Sequence, residues 1–203
     1  MNGGKEISDD EKNTASLLCN AAIEARVIGL DKPAMSITGS GAHGIIATMP
    51  LYGVYKINHL SEEILYRATM LSYLVCTYIK EYSGRLSAFC GCAIAAGSGM
   101  ACGVCYMKGG RLKELEYTLN NMASSITGMI CDGGSIGCAL KASAGVYAAY
   151  LSAMLAMEGI AIPHNFGVIG SSAEQTEKNL GRISDEGMAP MDSTIIDVMQ
   201  KGK

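Results

Sequence analysis

Apolar residues recur at three- and four-residue intervals along most of the chain, which is the period of one helix face. Leu17, Leu18, Ala21, Ala22 and Ala25 mark such a face in a helix from about Asp9 to Ile28. Ser8 followed three residues later by Glu11 fits a capping box at its start, and Gly29 is placed to stop it. Ser61 with Glu62 and Glu63 opens a second helix reaching about Tyr82, where Ser83 and Gly84 supply the punctuation. A third runs from Arg85 to Met107. A fourth runs from Leu112 to about Ile130, with Glu114 and Glu116 where the helix dipole favours them. A fifth spans about Cys138 to Met157, Ser171 with Glu174 caps a short helix to Leu180, and Pro190 starts a terminal one. Pro33 to Pro50 reads as a loop, residues 131–138 as a glycine-rich turn, and Pro163-His164-Asn165 as a polar connection. No alternating strand pattern emerges. The expected class is all-α: one domain over residues 1–203, a compact bundle of buried Gly/Ala-rich helices.

Composition sharpens this picture. Hydrophobic residues make up 49% and charged ones 17% of 203 residues, so the chain is built to pack and is not a disordered one. Trp is absent; core volume has to come from Ala, Leu, Ile and thirteen Met, which fill irregular gaps. A net charge of -3 provides no positive field to gather phosphates, so nucleic acid is not an expected partner. Leu86 to Met107 and Ala142 to Met157 are uncharged, but small and hydroxylic residues dilute both, so each reads as a buried helix and no membrane is expected. Gly97, Gly99 and Gly103 in the first of them have the spacing of close helix contact.

Eight cysteines would suit four disulfides in a secreted protein. The opening MNGGKEISDD has no apolar run and no cleavage site, so reduced thiols in the cytoplasm are expected. Cys131 and Cys138 flank the glycine-rich turn, a geometry that lets two thiolates converge on one inorganic centre while backbone amides point at it. Zinc is disfavoured, because Cys102-Gly-Val-Cys105 is the one tight knuckle and lies inside a helix. From spacing alone, eight buried thiols without any ligand among them is the alternative.

Three stretches carry a resemblance. They are Ser87-Ala-Phe-Cys90-Gly-Cys92-Ala-Ile-Ala-Ala-Gly-Ser-Gly99, Tyr106-Met-Lys-Gly-Gly110 and Gly128-Met-Ile-Cys131-Asp132-Gly133. Together they resemble the iron-sulfur-dependent L-serine dehydratase alpha-chain superfamily, in particular its L-cysteine desulfidase-like branch. The run from Pro33 to Gly44 resembles that family's glycine-rich loop, and Gly187-Met188 fits its tail. The resemblance implies a [4Fe-4S] cluster held by Cys131, Cys138 and one of Cys90 and Cys92, with Cys90 the first choice and Cys92 open. Three ligands leave one iron for the β-hydroxyl or β-thiol of an amino-acid substrate. The implied reaction is β-elimination of L-cysteine to pyruvate, ammonia and sulfide, or of L-serine to pyruvate and ammonia. Cys19, Cys76, Cys102 and Cys105 read as packing residues.

For substrate binding, Ser40, Gly41 and His43 in the glycine-rich loop offer amides and a hydroxyl to a carboxylate. His43 is the candidate for proton transfer and Lys141 for charge neutralisation, each with an ordinary solvated side chain as its alternative. Asp132 orients a ligand or simply serves the turn. Relatives often have Asn where Ala42 stands here. Full-length relatives are also about twice as long, the size of a two-domain chain, so the sequence is expected to be their C-terminal half, with an N-terminal half or separate subunit as partner. The second reading is a non-catalytic cluster-binding module. Self-association is left open.

Overall fold

The computed structural model describes residues 10–201. Among these, eight α-helices and two five-residue π-helical turns form the fold, and no strand is present beyond two isolated β-bridges. The all-α expectation holds. Helix α1 (Glu11–Val27) is capped by Asp10, whose Oδ1 accepts the Asn13 amide at 2.7 Å. Ser8, the expected cap, lies outside the described residues. Glu11 pairs with Lys108 Nζ at 2.7 Å, tying α1 to the residue that follows Met107.

Two expectations about element boundaries are corrected. Pro33 to Pro50 is not all loop, because α2 spans Gly41–Ile57 with Pro50 inside it. A proline there removes one helix hydrogen bond and costs about 3 kcal/mol. Ten buried residues, packed on α1 and α3 (Glu62–Ser83), offset that cost. The turn before α2 is set by Thr38 and Gly39, both at positive φ, and Ile37 and Ser40 exchange two backbone hydrogen bonds across it.

The second correction concerns the helix expected from Arg85. Residues 85–91 run outside any helix, and Phe89 bridges Ile130 instead. The Cys90 amide donates to the Met129 carbonyl at 2.7 Å, and the Cys131 amide to that of Ala88 at 2.9 Å. Helix α5 (Leu112–Ile126) therefore ends before Ile130, freeing residues 129–131 for this pairing. Helical structure resumes with a π turn at Cys92–Ala96 that leads into α4 (Gly97–Met107).

Helix α4 is the hub, packed against α2, α3, α5 and α6 (Gly137–Met157) and buried at ten of its eleven residues. Its glycines explain how neighbours come so close. A Cβ on Gly99 would lie 2.2 Å from the Ser72 carbonyl oxygen, so only glycine fits against α3 at that crossing. Helix α7 (Ala173–Arg182) starts at Ser172, one residue later than expected, and runs into the second π turn, Ile183–Gly187. Helix α8 (Met191–Lys201) has no buried residue. Helix α6 is long and apolar enough to cross a membrane; here it packs on α1, α4 and α5.

Candidate functional site

The bridge between residues 88–90 and 129–131 has a chemical consequence: it sets Cys90 opposite Met129 and Cys131 opposite Ala88, so that both cysteines reach one cavity. The π turn then offsets Cys92 from the regular helical register, and the glycine turn 132–136 returns Cys138 to the same place at the start of α6. All four thiols line one cavity of about 630 Å³. All eight cysteines are free, and those partly exposed are Cys92, Cys131 and Cys138. Cys19, Cys76, Cys102 and Cys105 are buried, as packing residues should be.

Around the cavity thiols the donors are arranged for sulfur that carries negative charge. The Ser135 amide donates to Cys138 Sγ at 3.5 Å, in a turn that Gly133 enters at a φ of 94°. The Cys92 thiol hydrogen-bonds Cys90, which together with the Ala93 amide draws Cys90 down to about 6 against its burial, and the same bond pushes Cys92 up. Lys141 forms an ion pair with Asp132 across the turn. Burial pulls Lys141 down, but the Asp132 hydrogen bond and charge, with Cys90 and Cys131 nearby, raise it overall. Asp132 is held low mainly by that hydrogen bond.

His43 and Lys80 form the opposite wall. His43 is 5% exposed, and burial, reinforced by the Lys80 charge, lowers it to about 4, so the ring is neutral near pH 7. The Thr38 hydroxyl lies 3.2 Å from His43 Nδ1. That hydroxyl spends its hydrogen on the Ile37 carbonyl at 2.8 Å, so it accepts from Nδ1–H and leaves Nε2 as the unprotonated nitrogen. Nε2 abuts Gly91, where a Cβ would lie 2.8 Å from it and 3.2 Å from Lys80 Nζ. Gly91 is thus required between the two cysteines of the Cys90-Gly-Cys92 run.

Ser40 lines the cavity, but as the cap of α2, its Oγ accepting the His43 amide at 3.4 Å and its own amide bound to Ile37. Gly41 is buried against the Arg26 guanidinium and does not line the cavity. The expected anion-binding loop is therefore a helix start. Sequence reasoning missed Lys80, which is 4% exposed, donates to Ser87 Oγ at 2.9 Å and stacks over Phe89. A signal was present: Ala68, Ser72, Cys76 and Lys80 are spaced by four on the buried face of α3. Arg26 and Arg85 also line the cavity, whose acids are Asp132 and Asp192, the latter from α8.

Among the described residues no three His, Cys, Asp or Glu side chains are gathered to hold a single metal ion. The thiols instead stand around a space. A soft, thiolate-rich donor set of this kind, with amides and cations beside it, fits a polynuclear iron-sulfur group, which offers each thiolate its own iron.

Comparison with known proteins bears on the same residues. No solved structure matches the chain. A UPF0597 protein of Clostridium botulinum is 54% identical over 185 residues, covering 91% of this chain and 43% of the relative. One from Caldanaerobacter subterraneus is 45% identical, covering 95% and 45%, and one from Desulfotalea psychrophila 38% identical, covering 97% and 45%. The chain thus spans less than half the length of these curated relatives. The family model described as serine dehydratase alpha chain matches residues 2–197, which include every thiol of the cavity. The chain belongs to the serine dehydratase alpha chain family.

Proposed function

We propose that the cavity is the active-site half of an iron-sulfur-dependent lyase that eliminates the β-substituent of L-serine or L-cysteine. The observation that carries this reading is the convergence of Cys92, Cys131 and Cys138, the three partly exposed thiols, on one cation-lined cavity. The third thiolate comes from the hydrogen-bonded pair Cys90 and Cys92, of which Cys92 is the more exposed and Cys90, 4% exposed, is the one drawn down toward the thiolate. When bound, a cluster with one iron free of protein thiolate supplies a Lewis acid for the departing hydroxyl or thiol.

The chain's own residues provide the remainder. His43 presents the unprotonated Nε2 on the cavity wall, in place to accept the α-proton while the Cα–Cβ double bond forms and the β-substituent leaves. Release of the aminoacrylate and its hydrolysis give pyruvate and ammonia, with sulfide from cysteine. Lys141, fixed by Asp132, offsets negative charge at the thiolates, and Arg26 and Arg85 add to an interior suited to the substrate carboxylate. Ser40 shapes this wall by capping α2, and Gly41 lets Arg26 approach.

Anaerobic reconstitution tests the reading. The expected product is brown protein with about four irons per chain. Cys131→Ser should lose the colour and Cys76→Ser should keep it. Equal loss from both, or colourless wild-type protein, overturns the ligand assignment. Pyruvate and sulfide assays with each amino acid then identify the substrate. They are run with and without the remaining half of a relative, because the family's name as an alpha chain points to another half.

A further inference from the structure

Helix α6 is apolar on two faces, and one of them is uncovered. Its inner face is built mostly of small residues, with Val146 and Tyr150 the larger ones, and Gly145 is so close to Ala93 that a Cβ would lie 3.3 Å from the Ala93 Cα. Its outer face carries Leu140, Ala144, Tyr147, Leu151 and Met154, all exposed, Leu140 at 75% and Leu151 at 61%. The intervals of four, three, four and three are those of a helix-pairing seam, which α1 touches at Tyr147, where Lys12 Nζ stands 5.2 Å over the ring and the hydroxyl donates to Asn13 at 3.3 Å. A helix apolar all round belongs to the interior of a larger body or to a membrane.

We infer that this seam is the docking surface for the portion that makes up the rest of the relatives' length. Three observations point to that occupant. The curated relatives each hold more than half of their length outside the matched part, enough for a second body of similar size. The seam begins at Leu140, next in sequence to Lys141 of the cavity wall, and Leu86 of that wall is 94% exposed, so a body covering the start of the seam lies at the cavity. The cavity wall on the α8 side comes from a helix with no buried residue, which leaves room for a further contribution there. The inference rests on family membership alone and stands independently of the lyase reading.

The test co-expresses this chain with the portion of the Clostridium botulinum relative that lies outside the match. A one-to-one complex is expected by size-exclusion chromatography with light scattering. Leu151→Lys combined with Met154→Lys should weaken it by roughly a hundredfold or more, as loss of a central apolar anchor pair does. The same double variant of the isolated chain should keep its helical circular dichroism and melting temperature, since both side chains are exposed. Tyr66→Lys, on the exposed side of α3, should leave the complex unchanged. Four results would overturn the inference: no wild-type complex, a complex indifferent to the α6 variants, an isolated chain that dimerises until those variants dissociate it, or binding to phosphatidylglycerol vesicles that they abolish. None of these readouts depends on iron or turnover.

Discussion

Cys102 and Cys105 sit three residues apart in α4, and Cys90 and Cys92 sit two apart just before it, yet the two pairs live in different chemistry. In α4 every backbone amide near the pair is spent on the helix, so the sulfur atoms meet only packed side chains, such as Met157 Sδ 3.9 Å from Cys105. Burial pushes both thiols up, and they act as small apolar groups. At the rim, the bridge, the π turn and the glycine turn interrupt regular hydrogen bonding and leave amides and lysines facing the sulfurs. Backbone irregularity, more than the presence of cysteine, separates a packing thiol from a ligand-competent one.

The sharpest way to break this comparison is through glycine. Gly99→Val in the interior drives a side chain into the Ser72 backbone and should cost roughly 4 kcal/mol or more. At the rim, Gly134→Ala meets nothing within 4 Å and should cost under about 0.5 kcal/mol. Thermal melts of both variants decide it; similar losses would mean the rim turn is as tightly packed as the hub.

Buried ionisable groups in the two regions should respond to pH with opposite sign. Glu177, 3% exposed on α7 and close enough to influence Cys102, is raised to about 8 by burial. Folding therefore holds a proton that the unfolded chain releases above about pH 4.5, so its contribution is present at low pH and is lost as pH rises through 8. His43 is lowered to about 4, so the unfolded chain takes up a proton below about 6.5 that the folded chain refuses, and stability falls as pH drops from there towards 4. The effect is on the order of 5 kcal/mol for Glu177 and on the order of 3 kcal/mol for His43 across their windows. Glu177→Gln should stabilise the protein at pH 8 and not at pH 4, and His43→Asn should flatten the acid limb. Denaturant midpoints from pH 4 to 9 are the measurement, and parallel curves for wild type and variants would remove the burial argument.

Reactivity gives a smaller, more local contrast. In the cluster-free protein, iodoacetamide should label the partly exposed Cys131 and Cys138 first, with Cys19, Cys76, Cys102 and Cys105 protected until the fold opens. Peptide mass mapping over time reads this directly. Early labelling of Cys102 would contradict its place in the core.

The helices were legible because their apolar positions repeat with the period of burial, and so was a close helix contact along α4, written in Gly97, Gly99 and Gly103, though not that α3 is the neighbour at Gly99. The start of α2 was not. Its Gly-rich run and Pro50 speak for a loop at the local level, and only burial against α1 and α3 makes the helix worth its cost. The break at residues 85–91 was equally hidden, because Phe89 is held extended by a partner forty-one positions away at Ile130. That pairing also kept part of the site out of view. Cys131, Cys138 and Lys141 could be proposed from the turn, whereas Lys80 joins their cavity only through the packing of α3.

Lys141 offers the finest test, because its ion pair has a counterpart with no site nearby. Arg67 pairs with Glu63 on the exposed face of α3 at 2.8 Å, as Lys141 pairs with Asp132 at the rim. Asp132 is about half exposed, so solvent screening limits the stability at stake, and Lys141→Met should cost less than about 1 kcal/mol, while Arg67→Met should leave the melt unchanged. The two should part in iron chemistry. Removing Lys141 takes away a cation that Cys90 and Cys131 feel, so reconstituted protein should release its iron faster to a chelator, whereas the Arg67 variant should match wild type. Chelator-driven bleaching after anaerobic reconstitution measures both, and indistinguishable rates would reduce Lys141 to an ordinary surface partner of Asp132.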